Sequence, residues 1–168
     1  MAIKSFTWMA LVAVLVFGGC RSPIGGGSEL ASDISMNSSR AAKQLLTGFY
    51  NVENGAWRWT GKSFAVQLAV PSGASSKGGK LTFRFVFPEP AVQTLHAVTL
   101  SAKANDTALD PQTYSASGDQ TYARDVPAEA LAAAVVRVTF SLDKAMPPGP
   151  VDVRELGVIA KEISLASH

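Results

Sequence analysis

Two carboxylates far apart in the chain, Glu53 and Asp152, are side chains that could do chemistry together. Paired carboxylates are the machinery of glycoside hydrolysis, in which one acts as an acid and the other as a base or nucleophile. The chain holds 13 acidic residues, so folding brings some pair together by chance. We therefore rank catalysis last among the roles of this pair.

Two arginines offer the acidic residues a structural role. Arg58 and Arg154 stand among apolar neighbours, where a charge needs a partner. Glu53, Asp152 and Glu155 are the available acids. A partly buried, bidentate arginine–carboxylate pair would lock the first strand of the domain to the last. The sequence favours such a structural clasp, made of Glu53, Arg58, Asp152 and Arg154, over a ligand contact, which stays open.

Other patterns for catalysis or metal binding are absent from the sequence. There is no Gly-x-Ser-x-Gly, no His-Glu-x-x-His and no phosphate-binding glycine loop. The histidines, His96 and His168, have no partners for a metal site, and a single cysteine excludes a multi-cysteine site. We expect no catalytic residue, no metal and no cofactor.

The single cysteine, Cys20, follows a segment typical of export signals. Lys4 precedes an apolar run of ten residues at 8–17. That run is too short for a transmembrane helix, which needs about 20 residues. Gly18 and Gly19 stand directly before Cys20, and such small side chains suit a membrane-embedded peptidase. The sequence predicts a signal peptide over 1–19.

The segment Phe17-Gly18-Gly19-Cys20 resembles the lipobox of bacterial lipoproteins, which ends in two small residues and an invariant cysteine. The resemblance implies that Cys20 is lipidated, becomes the mature N-terminus and holds the protein to the membrane through two or three acyl chains. In that family, Arg21 rather than an aspartate after the cysteine favours the outer membrane of a bacterium with two membranes. An ordinary signal peptide with a free cysteine is the alternative.

The chain then divides into a linker and one domain. Residues 20–44 are rich in Gly, Ser and Ala, so they are expected to be the lipidated cysteine and a flexible linker. The 168-residue chain is 47% apolar and 17% charged, which supports a sizeable core in a domain over 45–168. The net charge of +2 and the scattered basic residues argue against a nucleic-acid partner.

The domain contains short stretches of alternating hydrophobicity that end at Gly or Pro turns. The sharpest, at 81–87, places one Leu and three Phe on one face. Similar stretches lie at 57–60, 64–70, 98–102 and 136–142. The loops are too short for the crossovers of a parallel sheet. The pattern predicts an all-β fold, an antiparallel β-sandwich or jelly roll of seven to nine strands.

An aromatic cluster at 48–62 could form a contact surface. It includes Tyr50, Trp57 and Trp59, with both tryptophans on one face of an alternating strand. Together with Tyr122, these are the candidate ligand-binding residues, because a glycan-binding site needs an aromatic platform with polar neighbours. Packing in the core is the alternative for each of them.

Two motifs together are similar to galactose-binding-like β-sandwich domains of bacterial cell-envelope and glycan-handling proteins. Those domains combine an early aromatic-Arg-Trp-Thr strand, matched at 57–60, with a late Asp-x-Arg-x-Leu-Gly segment, matched at 152–157. The resemblance covers about residues 45–165. It implies a sandwich that binds sugars or packs against partners, and it assigns no binding residue.

Three functions are compatible with these patterns. The first is an envelope lipoprotein whose non-catalytic module binds a glycan or another envelope ligand. The second is a structural or adaptor lipoprotein that docks a protein partner, and the third, ranked last, is a glycoside-acting enzyme. The expected partners are the membrane, through lipid on Cys20, and a glycan or envelope protein.

Overall fold

The structure is a computed structural model that describes residues 30–39 and 41–168. Within these residues, nine antiparallel strands form a sheet that folds over on itself as a β-sandwich, which confirms the predicted fold class. The strands are β1 (Asp33–Ser35), β2 (Leu45–Glu53), β3 (Trp57–Ala69), β4 (Gly79–Phe87), β5 (Val98–Ala104), β6 (Thr107–Tyr114), β7 (Gly118–Val126), β8 (Val135–Leu142) and β9 (Ile159–Ser167). Short helices span Ala74–Lys77 (α1) and Glu89–Leu95 (α2), and 3-10 turns span Ala41–Lys43 and Ala128–Leu131.

The long strand β3 belongs to both layers of the sandwich. The sheet order is β6-β5-β8-β3-β9-β4-β7, with β2 paired to β3 and β1 paired to β9. The C-terminal part of β3 pairs with β8, from Ser63↔Ser141 to Ala69↔Val135. Its N-terminal part pairs with β9 instead, through Arg58↔Ala160 and Trp59↔Ile159. The sequence predicted two strands at 57–60 and 64–70, which the structure joins into one.

Aromatic side chains fill the space between the layers. Phe83 on β4 lies 5.1 Å from Phe140 on β8 and 5.5 Å from Phe64 on β3, measured between ring centroids. Since β4 and β8 are not neighbours in the sheet order, these contacts cross the sandwich. The predicted stripe at 81–87 is the inner face of β4, where its Leu and Phe side chains are buried. Burial of each such side chain contributes about 1.5–3 kcal/mol.

The predicted linker needs a correction in its C-terminal part. Ile34 and Met36 are buried, and Ile34 lies opposite Ile163 of β9. The buried Gln44 side chain accepts from Ala31 N and donates to the carbonyl oxygens of Ala31 and Gln67. Residues 30–39 and 41–44 are therefore part of the folded domain, because two apolar side chains two residues apart bury one strand face. The signal peptide, Cys20 and residues up to 29 lie outside the described residues.

Candidate functional site

The aromatic stretch folds as the hairpin of β2 and β3. Glu53 lies opposite Trp57 across the hairpin. The turn between them holds Asn54 and Gly55 at positive φ, 48° and 63°. Such angles favour the dipeptide Asn-Gly. The sequence therefore contained a signal for this turn, which alternating hydrophobicity alone does not show. The hairpin brings Glu53 and Tyr50 beside the segment that precedes β9.

Arg154 is the centre of an ion-pair cluster between that segment and the hairpin. Its Nη1 lies 2.7 Å from Glu53 Oε1, and its Nη2 lies 2.7 Å from Asp152 Oδ2. The hydrogen bonds from Arg154 lower the pKa of Asp152 to about 2. Bonds to Asp152 and then to Glu53 raise the pKa of Arg154. About a third of each side chain is exposed, 31% for Arg154 and 36% for Glu53, so this part of the predicted clasp is partly buried.

The same cluster bears on the hypothesis of a carboxylate pair for glycoside hydrolysis. Glu53 and Asp152 both face one guanidinium group, that of Arg154. A general acid near neutral pH needs a carboxyl pKa that is raised toward the working pH. Asp152 has a pKa of about 2 instead. The geometry favours a structural role for these two carboxylates.

Tyr50 packs against the cluster. The Arg154 Cζ atom lies 5.0 Å from the centroid of the Tyr50 ring, which is a cation–π contact. The Tyr50 hydroxyl donates to the carbonyl oxygen of Glu155 at 2.8 Å. One ring face and the hydroxyl are therefore engaged within the protein, and the ring supports the clasp.

Arg58 differs from its predicted role. Its Nε donates to the carbonyl oxygen of Met36 at 3.0 Å, and its Nη1 donates to that of Tyr50 at 3.0 Å. Among residues 30–39 and 41–168, no carboxylate forms an ion pair with Arg58. Of the two arginines that were expected to offer a partner to an acid, Arg154 pairs with Glu53 and Arg58 does not. The segment that the sequence assigned to the linker supplies an acceptor for Arg58 instead.

The segment that precedes β9 is fixed to β3 by contacts that the sequence did not reveal. Thr60 is buried, and its hydroxyl accepts from Val158 N at 3.0 Å. Gly157 N donates to the carbonyl oxygen of Thr60 at 2.7 Å. A Cβ atom on Gly157 would lie 2.6 Å from the carbonyl oxygen of Gly61. Glycine is thus required here by the close approach of two backbones.

A row of side chains crosses the outer face of the layer β3-β9-β4-β7. Trp59 on β3 lies opposite Ile159 on β9. Ile159 also lies opposite Val86 on β4, the next strand of the sheet. Val86 in turn lies opposite Asp119 on β7. Directly paired residues on antiparallel strands project from the same face. Their neighbours Thr60, Ala160 and Phe85 are buried in the core, so the row faces outward. Trp59, Ile159 and Val86 are partly exposed, and we call these three residues the apolar row.

Trp57 lies on the same face as Trp59, two residues earlier on β3. The residue is partly exposed. Its Nε1 atom, however, is shielded from solvent and has no hydrogen-bond partner among the described residues. A buried donor without an acceptor costs roughly 1–3 kcal/mol. This indole nitrogen is therefore a local weakness of the domain.

Tyr122 is not part of any ligand platform. Its side chain is 0% exposed, and its hydroxyl donates to the carbonyl oxygen of Asp110 at 2.9 Å. Burial raises the pKa of Tyr122. Arg124 covers the ring, with Cζ 4.7 Å from the centroid. The ligand-binding prediction for Tyr122 is wrong, since the ring is buried in the core and its hydroxyl bonds a residue of β6.

A polar cleft lies beside the apolar row. It has a volume of about 230 Å³ and is lined by Arg84, Asp119, Gln120, Thr121, Lys161 and Glu162. Lys161 pairs with Asp119, and Arg84 Nη1 lies 3.9 Å from Glu162 Oε2. Asp119 belongs both to the cleft and to the strand register that contains the row. No local sequence pattern points to these residues, because only the register of β9, β4 and β7 brings them together.

Within residues 30–39 and 41–168, no group of three or more His, Cys, Asp or Glu side chains could hold a metal ion. Over the same part of the chain, no helix is long and apolar enough to cross a membrane.

Comparison with known proteins leaves the family open. No family model matches the chain, and no curated protein matches it. Eight solved chains match. One, described as "CBM4 structure and function", has 10% sequence identity and a TM-score of 0.34 over 81% of this chain and 85% of that chain. At that score the similarity carries no functional information, and both resemblances drawn from the motifs stay predictions.

Proposed function

We propose that this protein is a lipid-anchored cell-envelope protein whose β-sandwich is a non-catalytic, glycan-binding module. The apolar row is the observation that carries this proposal. Trp59, Ile159 and Val86 stand side by side on an outer sheet face, with polar side chains next to them. An aromatic ring can cover the C–H face of a sugar while nearby polar groups hydrogen-bond its hydroxyls.

The anchor is the second part of the proposal. Support comes from the lipobox-like segment that ends at Cys20 and from the apolar run before it. The chain from Cys20 to β1 would tether the domain, on the outer membrane if the organism has two membranes. Metabolic labelling with a palmitate analogue should mark the wild-type protein and not Cys20→Ser. Equal labelling of the two would exclude lipidation at this residue.

Native affinity electrophoresis tests glycan binding. The detergent-solubilised full chain is run through gels that contain one of several envelope or plant polysaccharides, and Trp59→Ala is run beside it. We expect at least one polysaccharide to retard the wild type and to retard Trp59→Ala much less. Val135→Ala serves as a matched control, since Val135 is a 38% exposed apolar residue on β8 in the other layer. Absence of retardation in every gel would reject glycan binding.

A second candidate function, docking of a protein partner, is favoured by one loop. Val151 and Val153 are 99% and 83% exposed, far more than is usual for valine. They flank Asp152, which Arg154 holds in place, so the loop presents two apolar side chains from a fixed base. A photo-crosslinking amino acid at position 151 in cells should yield a discrete adduct if the loop docks a protein. The same probe at the exposed position Lys103 is the control.

A further inference from the structure

Charge balance is the main property of the polar cleft beside the apolar row. Its cations are Arg84 and Lys161, and its anions are Asp119 and Glu162. Each cation faces one of the anions, through the pairs Lys161–Asp119 and Arg84–Glu162. The cleft thus presents donors and acceptors at high density with no excess of either charge.

These pairs are accessible and weak enough to accept a ligand between them. The side chains of Asp119 and Arg84 are 79% and 62% exposed. Ion pairs at such exposure contribute little to stability. A ligand group that both donates and accepts can therefore enter the cleft and bond both members of a pair at little cost.

The cleft and the row are continuous across the strands. Trp59, Ile159, Val86 and Asp119 lie on β3, β9, β4 and β7 in that order. With adjacent strands about 4.8 Å apart, the distance from the first to the last is roughly 14 Å. A ligand that touches Trp59 and reaches Asp119 is thus longer than one sugar ring and lies across the strand direction.

From this arrangement we propose that the apolar row and the polar cleft form one site for a neutral polysaccharide chain. The proposal rests on the glycan-binding function proposed above and names its ligand class. A pyranose ring covers Trp59 and Ile159 with its C–H face, and the hydroxyls of the following residues reach the cleft at Asp119 and Arg84. A hydroxyl donates to a carboxylate and accepts from a guanidinium or ammonium, so both charges stay satisfied.

A charged sugar fits the same cleft less well. A uronate carboxylate at Arg84 or Lys161 would displace Glu162 or Asp119 and leave that side chain without its cation. An amino sugar would displace a cation in the same way. The cleft contains two cations and two anions. Each exchange therefore forms one ion pair with the ligand and breaks one within the protein. A neutral hydroxyl bonds both members of a pair, so neither charge loses its partner.

Affinity electrophoresis of the full chain separates the two proposals. One set of gels contains neutral polymers (a β-1,3-glucan, a galactomannan and a xyloglucan), and the other contains acidic polymers (alginate and polygalacturonate). We expect retardation by at least one neutral polymer, with little change between 50 mM and 500 mM salt. Asp119→Ala and Arg84→Ala should each weaken the retardation several-fold, and Trp59→Ala about tenfold, as for a central aromatic contact.

A control variant lies outside the proposed site. Arg137→Ala removes an exposed arginine from β8 in the other layer and should leave the retardation unchanged. Asp119 is largely exposed, so its replacement tests the cleft even if Trp59→Ala fails to fold. Retardation by acidic polymers alone would overturn the neutral class while supporting glycan binding. If neutral polymers retard Asp119→Ala and Arg84→Ala as strongly as the wild type, the proposed site is wrong. If no polymer retards the protein, the proposed function itself is rejected.

Discussion

The guanidinium group of Arg154 lies 2.7 Å from the carboxylate of Glu53, a residue that stands 101 positions earlier in the chain. This contact joins the β2–β3 hairpin to the segment that leads into β9. Both side chains are about one-third exposed. The pair therefore connects two segments that are distant in the sequence without the large desolvation cost of a fully buried ion pair.

The interaction free energy between these two side chains should be small, because about a third of each is exposed to solvent. A double-mutant cycle with Glu53→Ala and Arg154→Ala, measured by urea unfolding, should give an interaction free energy of about 0.2–1 kcal/mol. Arg58→Ala should be additive with Asp152→Ala, since Arg58 bonds the carbonyl oxygens of Met36 and Tyr50. A strong coupling between Arg58 and Asp152 would contradict the structure.

Asp152 should make stability depend on pH in the acidic range. Its pKa falls from 3.8 to about 2 in the folded state because Arg154 donates to its carboxylate. A lowered folded pKa stabilises the protein above the unfolded pKa, and this contribution is lost as the pH falls toward the folded value. Wild type should therefore be more stable than Asp152→Asn at pH 5, and the difference should shrink between pH 4 and pH 2. A difference that stays constant over this range would argue against the pair.

The shielded indole nitrogen of Trp57 predicts an unusually tolerated substitution. Trp57→Phe removes a donor that has no partner among the described residues. Its unfolding free energy should therefore change by less than about 0.5 kcal/mol, or rise. Tyr122→Phe is the contrasting variant, because it removes the hydrogen bond to Asp110 and should cost about 0.5–1.5 kcal/mol. A larger loss for Trp57→Phe than for Tyr122→Phe would contradict this expectation.

The first strand should contribute to stability although its sequence is that of a linker. Ile34→Ala and Met36→Ala each remove a buried side chain and should cost about 2–5 kcal/mol in urea unfolding. Asp33→Ala, at an exposed position of the same strand, should stay within about 0.5 kcal/mol of wild type. Equal small effects at all three positions would mean that β1 detaches in solution.

The close approach at Gly157 should make even one added methyl group unfavourable. A Cβ atom there would lie 2.6 Å from both Gly61 O and Thr60 Oγ1. Gly157→Ala should lower the unfolding free energy by about 1–3 kcal/mol. Gly149→Ala is the matched control, since nothing lies within 4 Å of its Cβ position. Thermal unfolding of the two variants compares them directly.

The all-β fold was determined by the sequence itself. Period-two stripes such as residues 81–87 place apolar side chains on one face wherever a strand forms, so local order alone predicts a sandwich. The signal peptide predicted before Cys20 likewise rests on composition and length alone, and it stays a prediction. In contrast, β1 could not be recognised, because three residues in a stretch rich in small residues carry too little periodicity. Only the pairing with β9 reveals that Ile34 and Met36 are buried.

In the candidate site, too, local sequence predicted some features and only the tertiary structure decided the others. Alternation placed Trp57 and Trp59 on one face, and charge placement suggested that Arg154 would find Glu53 or Asp152. Tertiary structure alone decided that Tyr122 is buried and that Arg58 bonds carbonyl oxygens. It also decided that Trp59, Ile159, Val86 and Asp119 stand in one row. Register between strands that are distant in sequence depends on how the whole sheet folds over its core, which no local pattern encodes.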